Sequence, residues 1–245
     1  MYIDEAALVR ALPPGSYLTA LPVIRALSRR PLRLTHAVTI LVGENGSGKS
    51  TLLEGIAVAF GFNPEGGSRN FRFSTCDTHS PLGAALRLSR TNYPRDGFFL
   101  RAESFYNAAS YIDELDEQPT SAPKLAASYG GVSLHAQSHG ESFLALVQHR
   151  LGGRGLYIFD EPEAALSPMR QMVLLGEMDR LVRSGSQLIV ATHAPMLMAF
   201  PGAQVLDCDA ALAETPYDRT LHFQLMRRFL MNPERMLAEL LHPDP

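Results

Sequence analysis

The sequence has little cysteine, little lysine and no repeated segment. Its two cysteines, Cys76 and Cys208, do not form a CxxC pair and are too few for a disulfide framework, so free thiols in a reducing compartment are expected. No heptad pattern is sustained, which excludes a long coiled-coil arm. Among 22 basic residues only Lys49 and Lys124 are lysines. Codon bias would explain this imbalance. Even so, the rarity of lysine marks position 49 as a candidate for a site that needs a compact point charge, which the planar guanidinium of arginine does not provide.

The net charge and the lack of targeting features further limit the class of protein to which this chain can belong. The net charge of −3 argues against a protein that coats nucleic acid through bulk charge, although a local basic patch is compatible with it. Asp4 and Glu5 stand where a secretory signal would carry positive charge. The longest uncharged stretch, residues 184–206, is interrupted by glutamine, histidine and proline, and is expected to hold a buried strand, a loop and a helix. We therefore expect a cytoplasmic chain without direct membrane insertion.

Hydrophobic residues make up 46% of the 245 residues and charged residues 19%, which suits a sizeable core and excludes wholesale disorder. Apolar runs typical of buried strands alternate with runs of helical spacing, which indicates an α/β fold with a mostly parallel central sheet flanked by helices, plus a smaller helical lobe. We expect a single domain, residues 1–245, with a core of about 1–65 and 141–245 and a semi-separate lobe of about 66–140. The first 34 residues are expected to hold short strands and turns; the other predicted strands are 38–42, 84–89, 97–102, 156–159, 187–191 and 204–208, and the predicted helices are 50–60, 105–115, 141–151, 169–184 and 220–241.

A glycine-rich loop follows the strand predicted at residues 38–42. Residues 43–50, GENGSGKS, match the pattern G-x-x-x-x-G-K-[ST] in full, and a predicted helix follows them. Glycines let successive backbone N–H groups point inward as an anion cradle, and the helix presents its positive end to the same anion. Lys49 would reach the β- and γ-phosphates of ATP and the Ser50 hydroxyl would ligate Mg²⁺, whereas the alternative is a plain glycine-rich turn. The expected ATP-binding residues are Gly43, Glu44, Asn45, Gly46, Ser47, Gly48, Lys49, Ser50 and Thr51.

Two adjacent carboxylates follow the apolar run at residues 156–159. A buried strand that ends in aspartate is the second half of a phosphoryl-transfer site, so Asp160 would hold Mg²⁺ directly or through water. Glu161 stands next to it, where it could orient or deprotonate an attacking water. The alternative, an ordinary strand that ends in two surface acids, is less favoured because the phosphate loop is also present.

Together these motifs resemble the ABC-type ATPases of the P-loop NTPase superfamily. Residues 137–141 (QSHGE) are similar to the family's LSGGQ-like signature and precede Asp160 by a family-like spacing, although the segment alone would indicate a helix N-cap. Residues 163–167 (EAALS) resemble the D-loop, and His193 follows a predicted strand as the family's switch histidine does. Residues 66–71 and 138–143 are similar to the motifs of small stand-alone bacterial ATPases described as AAA-family or ABC-like.

The resemblance implies a Mg²⁺-dependent ATPase in which two heads pair head to tail around ATP. In the family, the signature segment of one head covers the γ-phosphate held by the other head, and the switch histidine hydrogen-bonds that phosphate. Catalysis of this kind is positioning and charge neutralisation, with no covalent intermediate on the protein. The expected catalytic residues are Glu161, His193 and Lys49, and the signature residues expected to act in trans are Ser138, His139, Gly140 and Glu141.

Parts of the family's site have no clear counterpart. No glutamine lies between the phosphate loop and residue 118, so the family's Q-loop is missing. Glu103 is the candidate for its place, which makes it a third candidate metal ligand beside Ser50 and Asp160. His139 stands where the signature usually has glycine. The adenine contact is open between Tyr17 and a run of arginines that equally fits a solvated basic face: Arg25, Arg29, Arg30 and Arg33.

Three functions remain open. The first is ATP binding and hydrolysis by a head that dimerises around ATP and drives or switches a partner process. The second is a nucleotide-gated interaction module with negligible turnover. The third is the ATP-binding subunit of a transporter with separate membrane chains, which the missing Q-loop disfavours. The expected partners are a second copy of the chain and an unidentified protein, and nucleic acid enters by analogy alone.

Overall fold

The chain alternates between short strands and helices, as its hydrophobic pattern predicts. The structure is a computed structural model that describes residues 1–68, 80–101 and 138–241. The strands in these ranges are β1 (Ile3–Leu8), β2 (Leu32–Arg33), β3 (Val38–Val42), β4 (Gly67–Ser68), β5 (Leu86–Arg90), β6 (Asp96–Arg101), β7 (Gly155–Asp160), β8 (Gln187–Ala191), β9 (Gln204–Asp207) and β10 (Ala213–Glu214). The helices are α1 (Pro22–Leu27), α2 (Lys49–Phe60), α3 (Leu82–Ala85), α4 (His139–Ala145), α5 (Pro168–Arg183), α6 (Pro195–Met198), α7 (Leu221–Met231) and α8 (Pro233–Leu241).

A mostly parallel sheet organises the described part of the chain. Its seven strands lie in the order β10-β9-β3-β8-β7-β6-β4. The inner neighbours β9, β3, β8, β7 and β6 are parallel, and β10 and β4 pair antiparallel at the two edges. The α/β class predicted from the sequence is therefore confirmed. β4 and β6 pair in this sheet although their residues fall numerically within the predicted lobe.

The three central strands β3, β7 and β8 are buried from end to end. Successive side chains of a strand point to opposite faces, and both faces are covered here. Ile40 and Val42 of β3 lie in an apolar cluster with Leu174 of α5, whereas Leu41 lies in a second cluster with Leu52 of α2. A strand packed on both faces is apolar throughout, which is why continuous apolar runs predicted these three strands correctly.

Within the described residues, a three-stranded antiparallel sheet in the order β2-β1-β5 is joined to the base of β8 through one buried amide. The side-chain oxygen of Gln187 accepts hydrogen bonds from the backbone N–H groups of Tyr2 at 2.7 Å and Ile3 at 2.9 Å. Its nitrogen donates to the Ile3 carbonyl at 2.8 Å. Gln187 is fully buried, so three backbone groups of the small sheet depend on this single side chain.

Replacement of Gln187 by leucine is expected to destabilise the nucleotide-free chain. Leucine has similar bulk but leaves the Tyr2 and Ile3 groups unpaired, at about 1–3 kcal/mol for each buried polar group. For a chain of this length, each kcal/mol lowers the thermal unfolding midpoint by about 2–4 °C. The matched control is Gln224→Leu on the exposed surface of α7. Equal midpoints for the two variants, measured by calorimetry, would contradict the role given to Gln187.

Two of the predictions made for the first 90 residues are wrong in detail. Residues 22–27 form α1 where only strands and turns were predicted, because Pro22 at the first helical position begins a helix that buries Val23 and Ile24. The strand predicted at 84–89 begins as the end of α3 and becomes β5 only at Leu86. Short amphipathic elements of this kind carry little periodicity, so tertiary burial decides them.

The helices predicted at 141–151 and 220–241 lie at the expected positions, but each is divided into two helical segments. The helix predicted at 141–151 is α4 up to Ala145 and then a π-helical turn, Leu146–Arg150. The segment 220–241 is divided between α7 and α8, because Pro233 ends the α7 hydrogen-bond ladder and begins α8. The helix predicted at 105–115 lies outside the described residues. No helix in the ranges that the structure describes combines the length and the apolar character needed to cross a membrane.

Candidate active site

The carboxyl ends of β3, β7 and β8 meet at one edge of the central sheet. β8 lies between the other two strands and is parallel to both. In α/β sheets of this kind, ligands bind beyond the carboxyl ends of the strands. The phosphate loop follows β3, the acidic pair stands at the end of β7, and His193 follows β8. The structure therefore brings together the three motifs that carry the predicted chemistry.

The phosphate loop has the backbone that an anion cradle requires. Gly43, Gly46 and Gly48 have positive φ angles of 144°, 85° and 97°, which residues with side chains rarely adopt. α2 begins at Lys49, so a helix of 12 residues directs its N-terminal end at the loop. The predicted arrangement of strand, loop and helix is confirmed.

Lys49 is only 4% exposed, and backbone oxygens surround its charge. Its Nζ donates to the carbonyl of Gly43 at 2.8 Å and to the carbonyl of Glu44 at 3.1 Å. Hydrogen bonds from an ammonium group to an ionised oxygen are stronger than those to a neutral carbonyl. A phosphate oxygen would therefore form a stronger hydrogen bond with Lys49 than either carbonyl does. Because the lysine is already buried, its charge does not have to be removed from water when the phosphate binds.

Two other segments hold the phosphate loop from outside. On one side, the Val23 N–H of α1 donates to the Ser47 carbonyl at 3.3 Å, and a Cβ on Gly48 would lie 2.5 Å from Val23 Cγ1. On the other side, the carboxylate of Asp209 accepts a hydrogen bond from the Glu44 N–H at 2.6 Å. Sequence reasoning missed Asp209, because it follows β9 and belongs to no motif.

Ser50 and Asp160 meet at the phosphate end of the site. The Ser50 hydroxyl donates to Asp160 Oδ1 at 2.9 Å, and Asp160 is 5% exposed. Both groups present hard oxygen atoms, and Mg²⁺ is usually held by one or two such protein groups together with phosphates and waters. The pair therefore fits the predicted ion.

An arginine that the sequence analysis did not select lies at the same carboxylate. Arg101 Nε is 3.6 Å from Asp160 Oδ2, and Arg101 Nη1 is 2.9 Å from Glu54 Oε2. Arg101 ends β6, the strand next to β7, and the sequence signal for it was its place near the end of the strand predicted at residues 97–102. Glu103, the predicted counterpart of the Q-loop glutamine, lies outside the described residues.

Glu161 has a left-handed backbone with a φ angle of 50°. This conformation costs a residue other than glycine on the order of 1–2 kcal/mol, and such strain clusters at functional sites. The Glu161 N–H donates to the Ala191 carbonyl at 2.9 Å, which ties the residue to β8. Its side chain is 39% exposed, and its Oε1 lies 3.4 Å from His193 Nε2. A carboxylate held beside the site and open to water fits a group that acts on water.

His193 is held through its backbone and through its ring. Its N–H donates to the Glu163 carboxylate, and its Nδ1 lies 2.8 Å from Nε2 of His222. The Nε2 of His193 and the Oγ of Ser47 are both buried without a hydrogen-bond partner among the described residues. Buried polar atoms are nearly always paired, so two unpaired ones in the same site fit a ligand rich in oxygen, as a phosphate is.

Ser138 and Glu141 form a capping box at the start of α4. The Ser138 N–H and hydroxyl bond to Glu141 Oε2 at 3.0 and 2.7 Å, and Arg170 bonds to both side chains at 3.1 and 2.8 Å. The hydrogen bonds from Ser138 are the main cause that lowers the pKa of Glu141. A Cβ on Gly140 would lie 2.6 Å from the Ala165 carbonyl oxygen, so only glycine fits there. The helix start is confirmed, and the action of this segment on a second copy stays a prediction.

The signature segment also reaches the phosphate end of its own chain. His139 lines a cavity of about 280 Å³ together with Ser50, Arg101, Asp160 and Glu161. The cavity thus joins Ser50 and Asp160, two of the predicted metal ligands, to the signature histidine. A small anionic group at this position would meet both positive and negative side chains.

The residues predicted to contact adenine are all exposed. Tyr17 is 61% exposed. Arg25 donates to the Thr19 carbonyl and Arg30 donates to the Ala211 carbonyl. These arginines thus have backbone partners on the surface, and neither alternative for the adenine contact is favoured.

Comparison with known proteins places the chain in a family. A family model described as "AAA domain" matches residues 24–106, and one described as "AAA domain, putative AbiEii toxin, Type IV TA system" matches residues 129–199. A cytochrome c biogenesis ATP-binding export protein, CcmA, from Rhodopseudomonas palustris (strain HaA2) is 30% identical over 167 residues, which cover 64% of this chain and 78% of that protein. The solved structure of cbiO1 from Clostridium perfringens, part of the ABC transporter complex cbiONQ, has a TM-score of 0.50 at 16% identity and covers 96% of this chain and 97% of that one.

The class of protein follows from the strand, the glycine loop and the helix with its buried lysine. With Asp160 bonded to Ser50 of that loop, they define a P-loop nucleotide-binding fold. Within that class the chain belongs to the ABC-type ATPases, as its relative and its fold show. Members of this family bind and hydrolyse ATP, and the resemblance inferred from the motifs is confirmed.

Proposed function

We propose that this chain hydrolyses ATP in a Mg²⁺-dependent reaction, and that two copies close around the nucleotide to drive or switch a partner process. The observation that carries the proposal is the assembly of Lys49, Ser50, Asp160, Glu161 and His193 at one edge of the sheet. Phosphoryl transfer needs a phosphate cradle, a metal site and a group that acts on water. Each of these needs has a residue of suitable chemistry here.

Each side chain has a distinct task in this proposal. Lys49 exchanges its two carbonyl partners for oxygens of the β- and γ-phosphates. Ser50 and Asp160 hold Mg²⁺, which neutralises charge on the phosphates. Glu161 orients the attacking water and accepts its proton, while His193 Nε2 donates to the γ-phosphate.

An exposed apolar stripe beside the signature segment supports the pairing of two copies. Met169, Met172 and Val173 are 69%, 53% and 39% exposed, and their spacing places them on one face of α5. The adjacent Arg170 bonds to Ser138. Contiguous exposed apolar side chains are typical of protein contact sites. A second copy docked there would lie next to the segment expected to act in trans.

Light scattering of Glu161→Gln with and without Mg-ATP tests the pairing. Since hydrolysis is slowed in this variant, ATP is expected to raise the mass from 26.9 kDa to twice that value, and Mg-ADP is expected to leave it unchanged. The double variant Lys49→Ala/Glu161→Gln is the matched control and should stay monomeric. A monomer at saturating Mg-ATP would rule out the ATP-dependent homodimer and direct the search to another chain.

A mixing experiment tests whether the signature acts across the interface. Lys49→Ala and Ser138→Arg are each expected to be inactive alone, because one lacks the phosphate contact and the other obstructs the signature. In a head-to-tail dimer, the mixture assembles one composite site from the intact loop of one chain and the intact signature of the other, so part of the activity should return. A mixture that stays inactive would show that each chain supplies both halves to itself.

A second candidate function is the ATP-binding subunit of a transporter. The similarity to an ATP-binding export protein favours it. In that case separate membrane chains would bring two heads together, and the isolated chain would stay monomeric with ATP. The lack of a glutamine between the phosphate loop and residue 118 disfavours this candidate, because the Q-loop normally couples a head to such chains.

A further inference from the structure

A second histidine lies against His193 and comes from α7. His222 is the second residue of that helix, and its Nε2 lies 2.8 Å from His193 Nδ1. The ring centroids are 4.8 Å apart, and the His222 side chain is 20% exposed. None of the motifs includes His222, so the predicted site was incomplete on this side.

The carboxylates around the two rings indicate which nitrogen carries each proton. A neutral imidazole has one N–H donor and one lone pair. Glu161 Oε1 lies 3.4 Å from His193 Nε2, and Glu44 Oε1 lies 3.9 Å from His222 Nε2. A carboxylate attracts an N–H and repels a lone pair, so both Nε2 atoms carry the proton. In the bond between the rings, His222 Nε2 is then the donor and His193 Nδ1 the acceptor.

The surroundings of His222 favour the neutral form of its ring. Burial is the main cause that lowers its pKa, and the neighbouring His193 lowers it further. Lys49 acts in the same direction, whereas Glu44 and Asp209 oppose the shift. A neutral His222 has a single ring proton, which the bond to His193 uses.

The first turn of α7 holds His222 in place. Thr220, which is 1% exposed, accepts a hydrogen bond from the Phe223 N–H at 3.4 Å and donates to the Tyr217 carbonyl at 2.6 Å. The Tyr217 and Phe223 rings pack edge to face with centroids 5.3 Å apart. His222 is therefore presented by an anchored helix start, which suits a residue whose task is to orient another side chain.

We propose that His222 is a positioning residue of the ATPase reaction, whose Nε2–H holds His193 in the tautomer that directs its own Nε2–H into the phosphate site. The inference rests on the proposed contact of His193 with the γ-phosphate. Without a donor at position 222, only the Glu161 carboxylate 3.4 Å from Nε2 favours the proton on that nitrogen, so a fraction of the His193 rings carries it on Nδ1 instead. In the other tautomer Nε2 presents a lone pair to the phosphate, which removes the hydrogen bond and adds repulsion.

Two substitutions separate the donor of His222 from its bulk. His222→Gln keeps an N–H donor near the position of Nε2, and His222→Leu removes the donor at similar volume. His222→Leu is expected to lower kcat roughly tenfold to a hundredfold, the loss typical when a group that orients a metal-ligating histidine is removed, with an unchanged ATP dissociation constant. His222→Gln should recover most of kcat, and the control His149→Leu, at an exposed histidine, should behave as the wild type.

A double-mutant cycle tests whether His222 acts through His193. In a His193→Leu background, the additional loss caused by His222→Leu is expected to vanish, because no ring remains to be oriented. Wild-type kcat in His222→Leu, or the same loss in both backgrounds, would overturn the proposal.

A second readout does not depend on turnover. Long-range ¹H–¹⁵N spectra of the histidine side chains in the nucleotide-free chain report which nitrogen carries the proton. We expect the Nε2–H tautomer of His193 in the wild type and in His222→Gln, and a mixture in His222→Leu. An Nδ1–H His193 in the wild type would overturn the proposal even if the chain hydrolyses ATP. The expected tautomers in a chain without hydrolysis would support the orienting bond and refute only the proposed function.

Discussion

Lys49→Ala is expected to abolish ATP binding at nucleotide concentrations that saturate the wild type. Lys49 is almost completely buried, and among the described residues its hydrogen-bond partners are the neutral carbonyls of Gly43 and Glu44, so its charge is available to phosphate. Removing one partner of a buried ion pair costs about 3–5 kcal/mol, which corresponds to roughly a hundredfold to several thousandfold in affinity. Titration calorimetry with Mg-ATP measures the change.

The control for this variant is Arg183→Ala, which removes a positive charge from a side chain that is 79% exposed. It should bind ATP as the wild type does. The thermal unfolding midpoint of nucleotide-free Lys49→Ala separates a lost contact from a lost fold. A folded variant with unchanged ATP affinity would contradict the assignment of residues 43–50 as the phosphate loop.

Glu161→Gln is expected to bind ATP normally and to lose nearly all turnover. Glutamine keeps the shape of the side chain, but cannot accept a proton from water. General base catalysis contributes roughly a hundredfold to ten-thousandfold, so kcat should fall by that factor. The position of Glu161 after β7, with its N–H bonded to Ala191, does not depend on the carboxylate, so the fold should be unaffected. Steady-state ATPase kinetics measure the fall in kcat, and titration calorimetry measures whether the affinity for ATP is unchanged.

The control for this variant is Glu234→Gln on the exposed surface of α8, which should keep the wild-type kcat. Normal kcat in Glu161→Gln would remove Glu161 from the role of acting on water. A wild type that binds ATP tightly but turns over no faster than Glu161→Gln would identify the chain as a nucleotide-gated interaction module.

The sequence was most informative where a backbone conformation or a buried strand leaves a local pattern. The loop of residues 43–50 requires glycine at positions of positive φ, and buried parallel strands require apolar runs. Both features therefore leave a recognisable pattern in the amino-acid sequence. β3 and β8 have the predicted bounds, and β7 differs from its prediction by one residue at each end. The residues that follow these strands could therefore be assigned to one edge of a sheet.

The contacts made by single side chains across the fold left no such pattern. Asp209 and Glu44 are 165 residues apart, and His222 and His193 come from different elements. Gln187 joins the two sheets, yet in the sequence it is one polar residue at the start of an apolar run. Each of these contacts follows from tertiary packing, which spacing and composition do not encode.

The order of the strands has a consequence for how the chain acquires its site during synthesis. β8 is the last of the three strands to leave the ribosome, yet it lies between β3 and β7. Until β8 inserts, β3, which leads into the phosphate loop, and β7, which ends in Asp160, share no paired neighbour, and such non-local pairing is a slow step. A nascent or clipped chain that ends before β8 would contain both motifs and no competent pocket. ATP would then bind only to chains in which β8 has inserted, and its binding would stabilise those chains by mass action.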